Sequence, residues 1–287
     1  MITVGIPFTA QSLQLFEAIS SVFAQTFEEW QLILFGDGVT ESTDKIRSIA
    51  DDRVKIYVEK DRLGLASRLN QIAGLATTPF LARMDSDDVM HPERLAIQLE
   101  MLQSRRWDLV GTHAYMIDER GTILGRYNEP PLPQTPSGYL RSNALSHPTV
   151  AGSTEWFVRN PYNPEFLRCQ DKELWVRTFR DSRFAKADDL LLFYRITSEL
   201  SARKQGISSK YDRRIIKDYG PRICGRPKAT KLLVNSYAKQ GVFRLSKAAG
   251  LGRRIYDTKF TPVERPELAD ATANYLAAVR FPIPGLT

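Results

Sequence analysis

The first part of the chain alternates short apolar runs with stretches in which apolar residues recur every three or four positions. The apolar runs predict four strands, at Ile2–Phe8, Gln31–Phe35, Val54–Val58 and Phe80–Met84. The periodic stretches between and after them predict four helices, at Ser12–Ala24, Thr43–Ala50, Leu65–Ala76 and Pro92–Gln103. Because strands that alternate with helices form crossover units, this pattern predicts an α/β fold with a mostly parallel central sheet.

The alternation is less regular beyond residue 107. Two β-rich runs, Asp108–Ile117 and Thr122–Tyr127, flank a turn and predict a hairpin, which a proline-rich loop over 128–138 follows. A short helix is predicted at Lys172–Phe179 and a further strand at Leu190–Ile196. The last third of the chain is predicted to be helical, at Ile207–Tyr219, Ala229–Lys239, Phe243–Ala249 and Pro266–Arg280.

Composition is that of an ordinary globular protein, with 43% hydrophobic and 25% charged residues in 287. No apolar run is long enough to cross a membrane, and the chain begins with a strand rather than a signal-peptide pattern. Cys169 and Cys224 lie far apart without metal-like spacing, so two free thiols are expected. These features predict a cytoplasmic protein.

Charge is distributed unevenly along the chain. The net charge is +7, but residues 195–260 alone carry 17 Lys and Arg against 4 Asp and Glu. This block predicts a basic helical region at 197–287 and an anionic partner. An anionic membrane surface at the inner face of the cell membrane is one such partner, and a helical cap with a solvated basic face is the alternative. Nucleic acid is not expected, because no nucleic-acid-binding motif is present.

Three carboxylates stand at the end of the fourth predicted strand, on Asp85, Asp87 and Asp88. Like charges packed this closely repel one another unless a cation or hydrogen-bond donors compensate. Mg²⁺ and Mn²⁺ prefer carboxylate oxygens and often share them with substrate phosphates. The cluster therefore predicts a metal–diphosphate site, although a helix cap before Pro92 would use the same residue types.

The second predicted strand also ends in a carboxylate, that of Asp37. The carboxyl ends of parallel strands meet at one edge of a sheet, where open α/β sheets bind their ligands. Asp37 and the carboxylates at 85–88 are therefore expected to share one crevice.

Seven blocks in order resemble the family 2 inverting glycosyltransferases with the GT-A fold, of the bacterial surface-polysaccharide type. The resemblance covers residues 2–196, which are therefore expected to form the catalytic domain. The blocks are Val4–Thr9, Gly36–Gly38, Gly64–Asn70, Ala82–Gln98, Asp108–Thr112, His147–Thr149 and Asp171–Arg177.

The resemblance implies a metal-dependent sugar transferase that takes a nucleotide-diphospho-sugar as donor. It places Mn²⁺ or Mg²⁺ on Asp87 and Asp85, and implies donor contacts from Thr9, Asp37, Arg62 and Asp85. A turn aspartate at Asp37 and a solvated surface arginine at Arg62 are the simpler alternatives. Asp88 is expected to begin the following helix.

The resemblance also implies an acceptor side, with Asp171 as the general base that takes the proton from the acceptor hydroxyl. Gln170 stands where the family usually has Glu, which leaves the acceptor contacts open. His147 and Trp175 are expected near the acceptor, with structural packing as the alternative for each. The implied product is a hexosyl or N-acetylhexosaminyl group on a glycan or lipid-linked acceptor in polysaccharide biosynthesis.

Two other functions are compatible with an α/β sheet and a carboxylate site. A nucleotidyltransferase would normally carry a Gly-rich basic loop after the first strand, and residues 7–11 supply none. A non-catalytic glycan- or membrane-binding protein would be favoured by loss of Asp87 or Asp171, and both are present.

Overall fold

The computed structural model describes residues 1–196, 202–251 and 257–286. Four parallel strands form the first part of its sheet, in the order β3-β2-β1-β4. All four predicted strands are present, and β2 extends two residues further than predicted at its carboxyl end. Their bounds are β1 Ile2–Phe8, β2 Trp30–Asp37, β3 Val54–Glu59 and β4 Phe80–Arg83.

The helices of this half also lie where the apolar period predicts them. The side chain of Ser12 accepts a hydrogen bond from the Leu15 N–H and thereby caps the first helix. The second helix is only one turn long, shorter than the predicted 43–50. The bounds are α1 Leu13–Phe23, α2 Asp44–Arg47, α3 Leu65–Leu75 and α4 Arg94–Gln103.

The sheet continues beyond β4 with mixed strand directions. The short strand β8 runs antiparallel between β4 and β6, and the long strand β9 runs parallel to β6 and antiparallel to β5. The hairpin of β6 and β7 is confirmed. The strands are β5 Val89–Met90, β6 Leu109–Ile117, β7 Ile123–Tyr127, β8 Ala151–Ser153 and β9 Phe184–Arg195.

Three short helices connect these strands. Two of them, α5 Pro136–Tyr139 and α6 Thr154–Arg159, were not predicted from the sequence, and α5 lies at the end of the stretch predicted as a loop. The third, α7 Gln170–Thr178, confirms the helix predicted at 172–179 and begins two residues earlier.

The C-terminal part is mainly helical, as predicted. The two helices expected at 229–239 and 243–249 form one continuous helix, which folds back on its predecessor after Gly225 (φ +79°). A two-residue strand, β10 Phe260–Thr261, pairs with β7 at the sheet edge. A division of the chain at residue 196 stays a prediction. The helices are α8 Ala202–Cys224, α9 Arg226–Ala248 and α10 Arg265–Val279.

Apolar side chains fill both faces of the sheet. On one face, alternate residues of β1 such as Ile6 belong to the same buried cluster as Ile19 of α1. On the other face, Ile72 of α3 approaches β1 so closely that a Cβ on Gly5 would lie 2.5 Å from its Cγ2. Three of the predicted residues, Thr9, Asp37 and Asp85, lie at or just beyond the carboxyl-terminal ends of β1, β2 and β4, the edge where such sheets bind ligands.

Candidate active site

The acidic turn after β4 brings three carboxylates together. One ligand oxygen each from Asp85, Asp87 and Asp88 lies within 4.8 Å of the others. Arg83, a buried residue of β4, pairs with Asp85 through both terminal nitrogens, and the Nη1–Oδ2 distance is 3.0 Å. One buried cation therefore offsets part of the negative charge of this turn.

Asp88 does not begin the following helix, so that prediction is wrong. Its side chain is fully buried, and Oδ1 accepts a hydrogen bond of 2.9 Å from the backbone N–H of Arg195. The chain continues from Asp88 into strand β5, and the next helix starts only at Arg94. The local sequence could not show this, because the hydrogen-bond donor to Asp88 comes from β9, more than a hundred residues later.

Arg195 holds the acidic turn in place. Besides the backbone bond to Asp88, its Nε donates to the Asp87 carbonyl at 2.7 Å, and its Nη2 pairs with Glu17 at 2.5 Å. The turn is thus tied both to the last residue of β9 and to helix α1. We infer that Arg195 is a positioning residue for the cluster.

Burial and mutual repulsion shape the chemistry of the cluster. Burial is the main cause that raises the pKa of Asp87, and the negative charge of Asp85 adds to this rise. The pKa of Asp88 rises further, because that side chain is fully buried and faces both neighbouring carboxylates. The Oδ2 atom of Asp88 is buried and has no hydrogen-bond partner in the described structure. Clustered carboxylates with one unpartnered oxygen fit a hard divalent cation.

Asp37 lies at the end of β2 and holds the loop that leads into α3. Its two oxygens accept hydrogen bonds from the backbone N–H groups of Leu63 and Gly64 at 2.8 and 3.0 Å. Its Oδ1 also pairs with Nε of Arg68 at 2.8 Å, and Arg68 is fully buried. Asp37 therefore has a structural role at this edge of the sheet, and its contact with a nucleotide stays a prediction.

Thr9 and Arg62 lie near the same edge of the sheet, and both are exposed. Thr9 directly follows β1. Arg62 packs so close to Gly38 that a Cβ at that glycine would lie 2.9 Å from the Cβ of Arg62. Their predicted contacts with the donor are compatible with these positions and stay predictions.

Removing the Arg68 side chain should destabilise the protein. Arg68→Ala would leave the buried Asp37 carboxylate without its cation, so we expect the free energy of unfolding to fall by about 3 kcal/mol. The loss lies at the low end for a broken buried pair because Asp37 keeps two backbone N–H donors. The exposed control Arg62→Ala should change the free energy of unfolding by less than about 0.5 kcal/mol. Urea denaturation measures both, and equal losses would contradict this account.

A cavity of about 320 Å³ joins the acidic turn to the predicted acceptor side. Its wall includes Asp85 and Arg83 from the strand end, and Asp171 from the start of α7. His147 and Asn143 line it as well. The sequence assigns Asp85 to the donor and Asp171 to the acceptor. Both carboxylates border the same cavity.

Asp171 is held in a defined orientation in this cavity. Its Oδ2 accepts a hydrogen bond of 2.8 Å from Nδ2 of Asn143. Burial raises the pKa of the Asp171 carboxyl, while hydrogen bonds from the Lys172 N–H and from Asn143 oppose the rise. A carboxylate with a raised pKa is a better proton acceptor than an ordinary surface aspartate.

The two predicted acceptor residues differ in their surroundings. His147 borders the cavity, and its Nε2 lies 3.0 Å from the hydroxyl oxygen of Tyr162. Burial is the main cause that lowers the pKa of His147 well below its usual value, and the positive charge of Arg83 adds to the effect. The ring is therefore neutral. Trp175 is only 1% exposed and packs against Trp156 and the core. The expectation that Trp175 contacts the acceptor is therefore wrong, and the alternative of structural packing is correct for this residue.

Four residues around the site were not assigned from the sequence. Two carried a signal: Arg83 is a cation inside an apolar strand, and Arg68 lies on the buried side of a predicted helix. The other two, Asn143 and Arg195, have no local signal. Asn143 lies in an irregular segment, and the role of Arg195 depends on long-range contacts.

Comparison with known proteins identifies the family that this chain matches. Residues 3–163 match the model of glycosyl transferase family 2. The protein EpsE of Bacillus subtilis is 30% identical over 173 residues, which cover 58% of this chain and 62% of EpsE. The O-antigen biosynthesis glycosyltransferase WbnJ of Escherichia coli is 28% identical over 199 residues, covering 67% of this chain and 77% of WbnJ.

A third relative has a donor and an acceptor in its name. The UDP-Glc:alpha-D-GlcNAc-diphosphoundecaprenol beta-1,3-glucosyltransferase WfgD of Escherichia coli is 25% identical over 169 residues. These residues cover 58% of this chain and 65% of WfgD. The matched region thus spans less than two thirds of both EpsE and WfgD.

Solved structures show the same fold. Residues 1–349 of TarS from S. aureus, in complex with UDP, align with a TM-score of 0.60 at 16% sequence identity. The alignment covers 97% of this chain and 81% of the TarS fragment. The C-terminal helical region is therefore included in the likeness, at the level of the fold.

Proposed function

The chain belongs to glycosyl transferase family 2, and we propose that it transfers a sugar, with inversion, from a nucleotide-diphospho-sugar to a hydroxyl group. The acceptor in this proposal is a glycan or a lipid-linked saccharide of polysaccharide biosynthesis. One observation carries the proposal: Asp85 and Asp171 line the same cavity. A donor held at the acidic turn would thus lie between the carboxylate cluster and the proton acceptor.

The proposed donor side consists of the strand ends. In this proposal the nucleotide contacts Asp37, Thr9 and Arg62 at the sheet edge, and its diphosphate reaches the acidic turn. The names of WfgD and of the TarS complexes include UDP or a UDP-sugar, and UDP is therefore the nucleotide we propose first.

The acidic turn fits a divalent cation, Mn²⁺ or Mg²⁺. Asp87 and Asp85 would hold it, and the unpartnered Oδ2 of buried Asp88 offers a further oxygen close by. When bound, such an ion offsets the charge that develops on a departing diphosphate. Arg83 keeps Asp85 in position, and Arg195 fixes the turn that carries Asp87.

The acceptor step depends on Asp171. Its carboxylate takes the proton of the acceptor hydroxyl while the hydroxyl oxygen forms a bond to the anomeric carbon. The bond from that carbon to the diphosphate oxygen breaks on the opposite face, and the electron pair leaves with the nucleoside diphosphate. Attack from the face opposite the leaving group inverts the anomeric centre, with an oxocarbenium-like transition state.

The pH dependence of the reaction should report on Asp171. Asn143→Ala removes a hydrogen bond that lowers the Asp171 pKa, so the acid limb of kcat/KM should move to higher pH. One such hydrogen bond corresponds to about 0.5 to 1 pH unit. Ser142→Ala is the neighbouring control, because Ser142 donates to the Gly138 carbonyl and not to Asp171. An unchanged acid limb in Asn143→Ala would argue against Asp171 as the base.

We also propose that helix α9 contacts an anionic membrane. Its 23 residues include no acidic side chain. Val234 and Leu245 are 60% and 72% exposed, and they lie within about 20° of one another at 100° per residue. Lys231 lies beside this apolar stripe, a pattern typical of interfacial helices. No helix in the described ranges is long and apolar enough to cross a bilayer.

Vesicle flotation tests this contact. Wild-type protein should float with vesicles that contain anionic lipid and stay behind with neutral ones. Val234→Glu should lower the partition coefficient about tenfold, because it places a charge on the apolar stripe. Val158→Glu is the matched control, since Val158 is 55% exposed but lies on α6. Equal binding to neutral and anionic vesicles would contradict membrane contact through α9.

A donor panel tests the proposed function as a whole. The protein is incubated with nucleotide-sugars and Mn²⁺, beginning with UDP-sugars, and released nucleoside diphosphate is measured. We expect release from at least one donor and its loss on chelation of the metal. Failure of every donor, together with no metal-dependent nucleotide binding, would refute the proposal.

A further inference from the structure

A second and larger cleft lies beside the active-site cavity. Its volume is about 960 Å³, and it runs between helices α8 and α9 and the residues that follow α5. Lining residues on α9 extend from Lys228 to Ser246. At a rise of 1.5 Å per residue this corresponds to roughly 27 Å of helix. The cleft is therefore long rather than round.

The floor of this cleft is apolar. Leu140, Ile216 and Leu232 line it, and all three belong to the buried cluster between α5, α7, α8 and α9. Val242 lines it nearer the surface, with 63% of its side chain exposed. Apolar side chains at the base of the cleft fit a hydrocarbon chain, although Asn235 and Ser236 also line it.

The rim of the cleft is cationic. Arg141, Lys228, Lys231 and Lys239 all line it, and the ion pairs of the described residues include none of these four. Asp212 is the acidic residue of the lining, and it is already paired with Lys172. The charge along the rim is therefore available to an anionic ligand.

The cleft adjoins the proposed catalytic base. Arg141 lines the cleft, and Asn143, two residues later, lines the active-site cavity and binds Asp171. On α8, Ser208 lines the cavity and Asp212, one turn further, lines the cleft. A molecule whose reacting hydroxyl reaches Asp171 could thus extend into the cleft.

We propose that this cleft binds the lipid diphosphate of the acceptor, with the diphosphate on the basic rim and the hydrocarbon chain on the apolar floor. The inference rests on the proposed function, because it assigns the occupant as the acceptor of that reaction. Charge complementarity selects this occupant: a neutral glycan would leave four cations unused, and a free phosphate would leave the apolar floor empty. The rim residues bind substrate and take no part in the bond changes.

Farnesyl diphosphate is a suitable probe, because it joins a diphosphate to a short isoprenoid chain. Calorimetric titration should give tighter binding for this probe than for inorganic diphosphate or farnesol alone. Lys231→Ala/Lys239→Ala should weaken its binding at least about tenfold, since two charge-assisted contacts are lost. The charge-matched control is Lys210→Ala/Lys217→Ala, whose lysines are exposed on α8 outside the cleft.

A second pair of variants separates the floor of the cleft from the outer face of α9. Val242→Glu places a negative charge inside the cleft and should weaken binding of the probe about tenfold or more. Val234→Glu introduces the same side chain on the same helix, at similar exposure, but outside the cleft lining. Val234→Glu should therefore leave the dissociation constant unchanged.

Binding of UDP in the presence of Mn²⁺ is measured on each of the four variants and distinguishes the two proposals. If UDP binds normally but farnesyl diphosphate does not bind, or is weakened equally by cleft and control variants, the cleft assignment is overturned. If the probe binds in the cleft but neither UDP binding nor donor turnover is found in wild type, the proposed function fails instead. Selective weakening in the two cleft variants, with UDP binding intact, supports the assignment.

Discussion

Replacement of Asp171 by asparagine is expected to lower the rate of sugar transfer by about 10²- to 10⁴-fold, the usual contribution of a positioned general base. Asparagine has the same shape and can still accept the hydrogen bond from Asn143, but it cannot take a proton at neutral pH. Affinity for UDP with Mn²⁺ should stay the same, because the acidic turn is unaltered. Initial rates and calorimetric titration of UDP measure the two quantities.

The control for this variant is Asp181→Asn, which makes the same chemical change at an exposed position three residues beyond α7. It should leave transfer and UDP binding as in wild type. If Asp171→Asn still transfers sugar at a rate close to that of the control, Asp171 is not the base. If it loses UDP binding as well, the separation of donor and acceptor roles is contradicted.

Replacement of Asp87 by asparagine should remove the metal dependence of donor binding. Asparagine keeps an oxygen but not the charge that attracts a hard cation, so affinity for UDP in Mn²⁺ should fall at least about tenfold. Chelation of the metal should bring wild-type protein to the same affinity as the variant. Titration of UDP with and without Mn²⁺ measures both effects.

Asp181→Asn again supplies the matched control, and its UDP affinity should respond to Mn²⁺ as that of wild type does. The fold should be preserved in Asp87→Asn, because Arg195 contacts the backbone carbonyl of Asp87 and not its side chain. Metal-dependent UDP binding that survives in Asp87→Asn would show that the cation does not depend on Asp87 and binds elsewhere.

Local pattern was sufficient to predict the parallel half of the fold. Strands β1 to β4 are four to eight residues long and mostly apolar, β1 and β2 most clearly, and α1 and α3 show a clear apolar period. Burial on both faces of a parallel sheet produces such runs, so the signal is strong. The same pattern predicts that Asp37 and the carboxylates at 85–88 lie at one edge of the sheet, because both follow parallel strands.

The irregular half was less predictable, for physical reasons. Strands β5 and β8 have two and three residues, too few to show any alternation, and partners far along the chain define them. The role of Asp88 depends on a donor from β9. Trp175 is a residue type that often contacts sugars. It is buried here because it packs against Trp156 and other core residues that are not adjacent to it in the sequence.

The proposed mechanism is tested most directly by the anomeric configuration of the product. Protein, Mn²⁺ and an α-linked UDP-sugar are combined, and proton NMR records the anomeric configuration of the transferred sugar. When water serves as a slow acceptor, spectra are taken before the released sugar mutarotates. Attack assisted by Asp171 from the face opposite the diphosphate predicts a β product. An α product would contradict the single-displacement mechanism and the role assigned to Asp171.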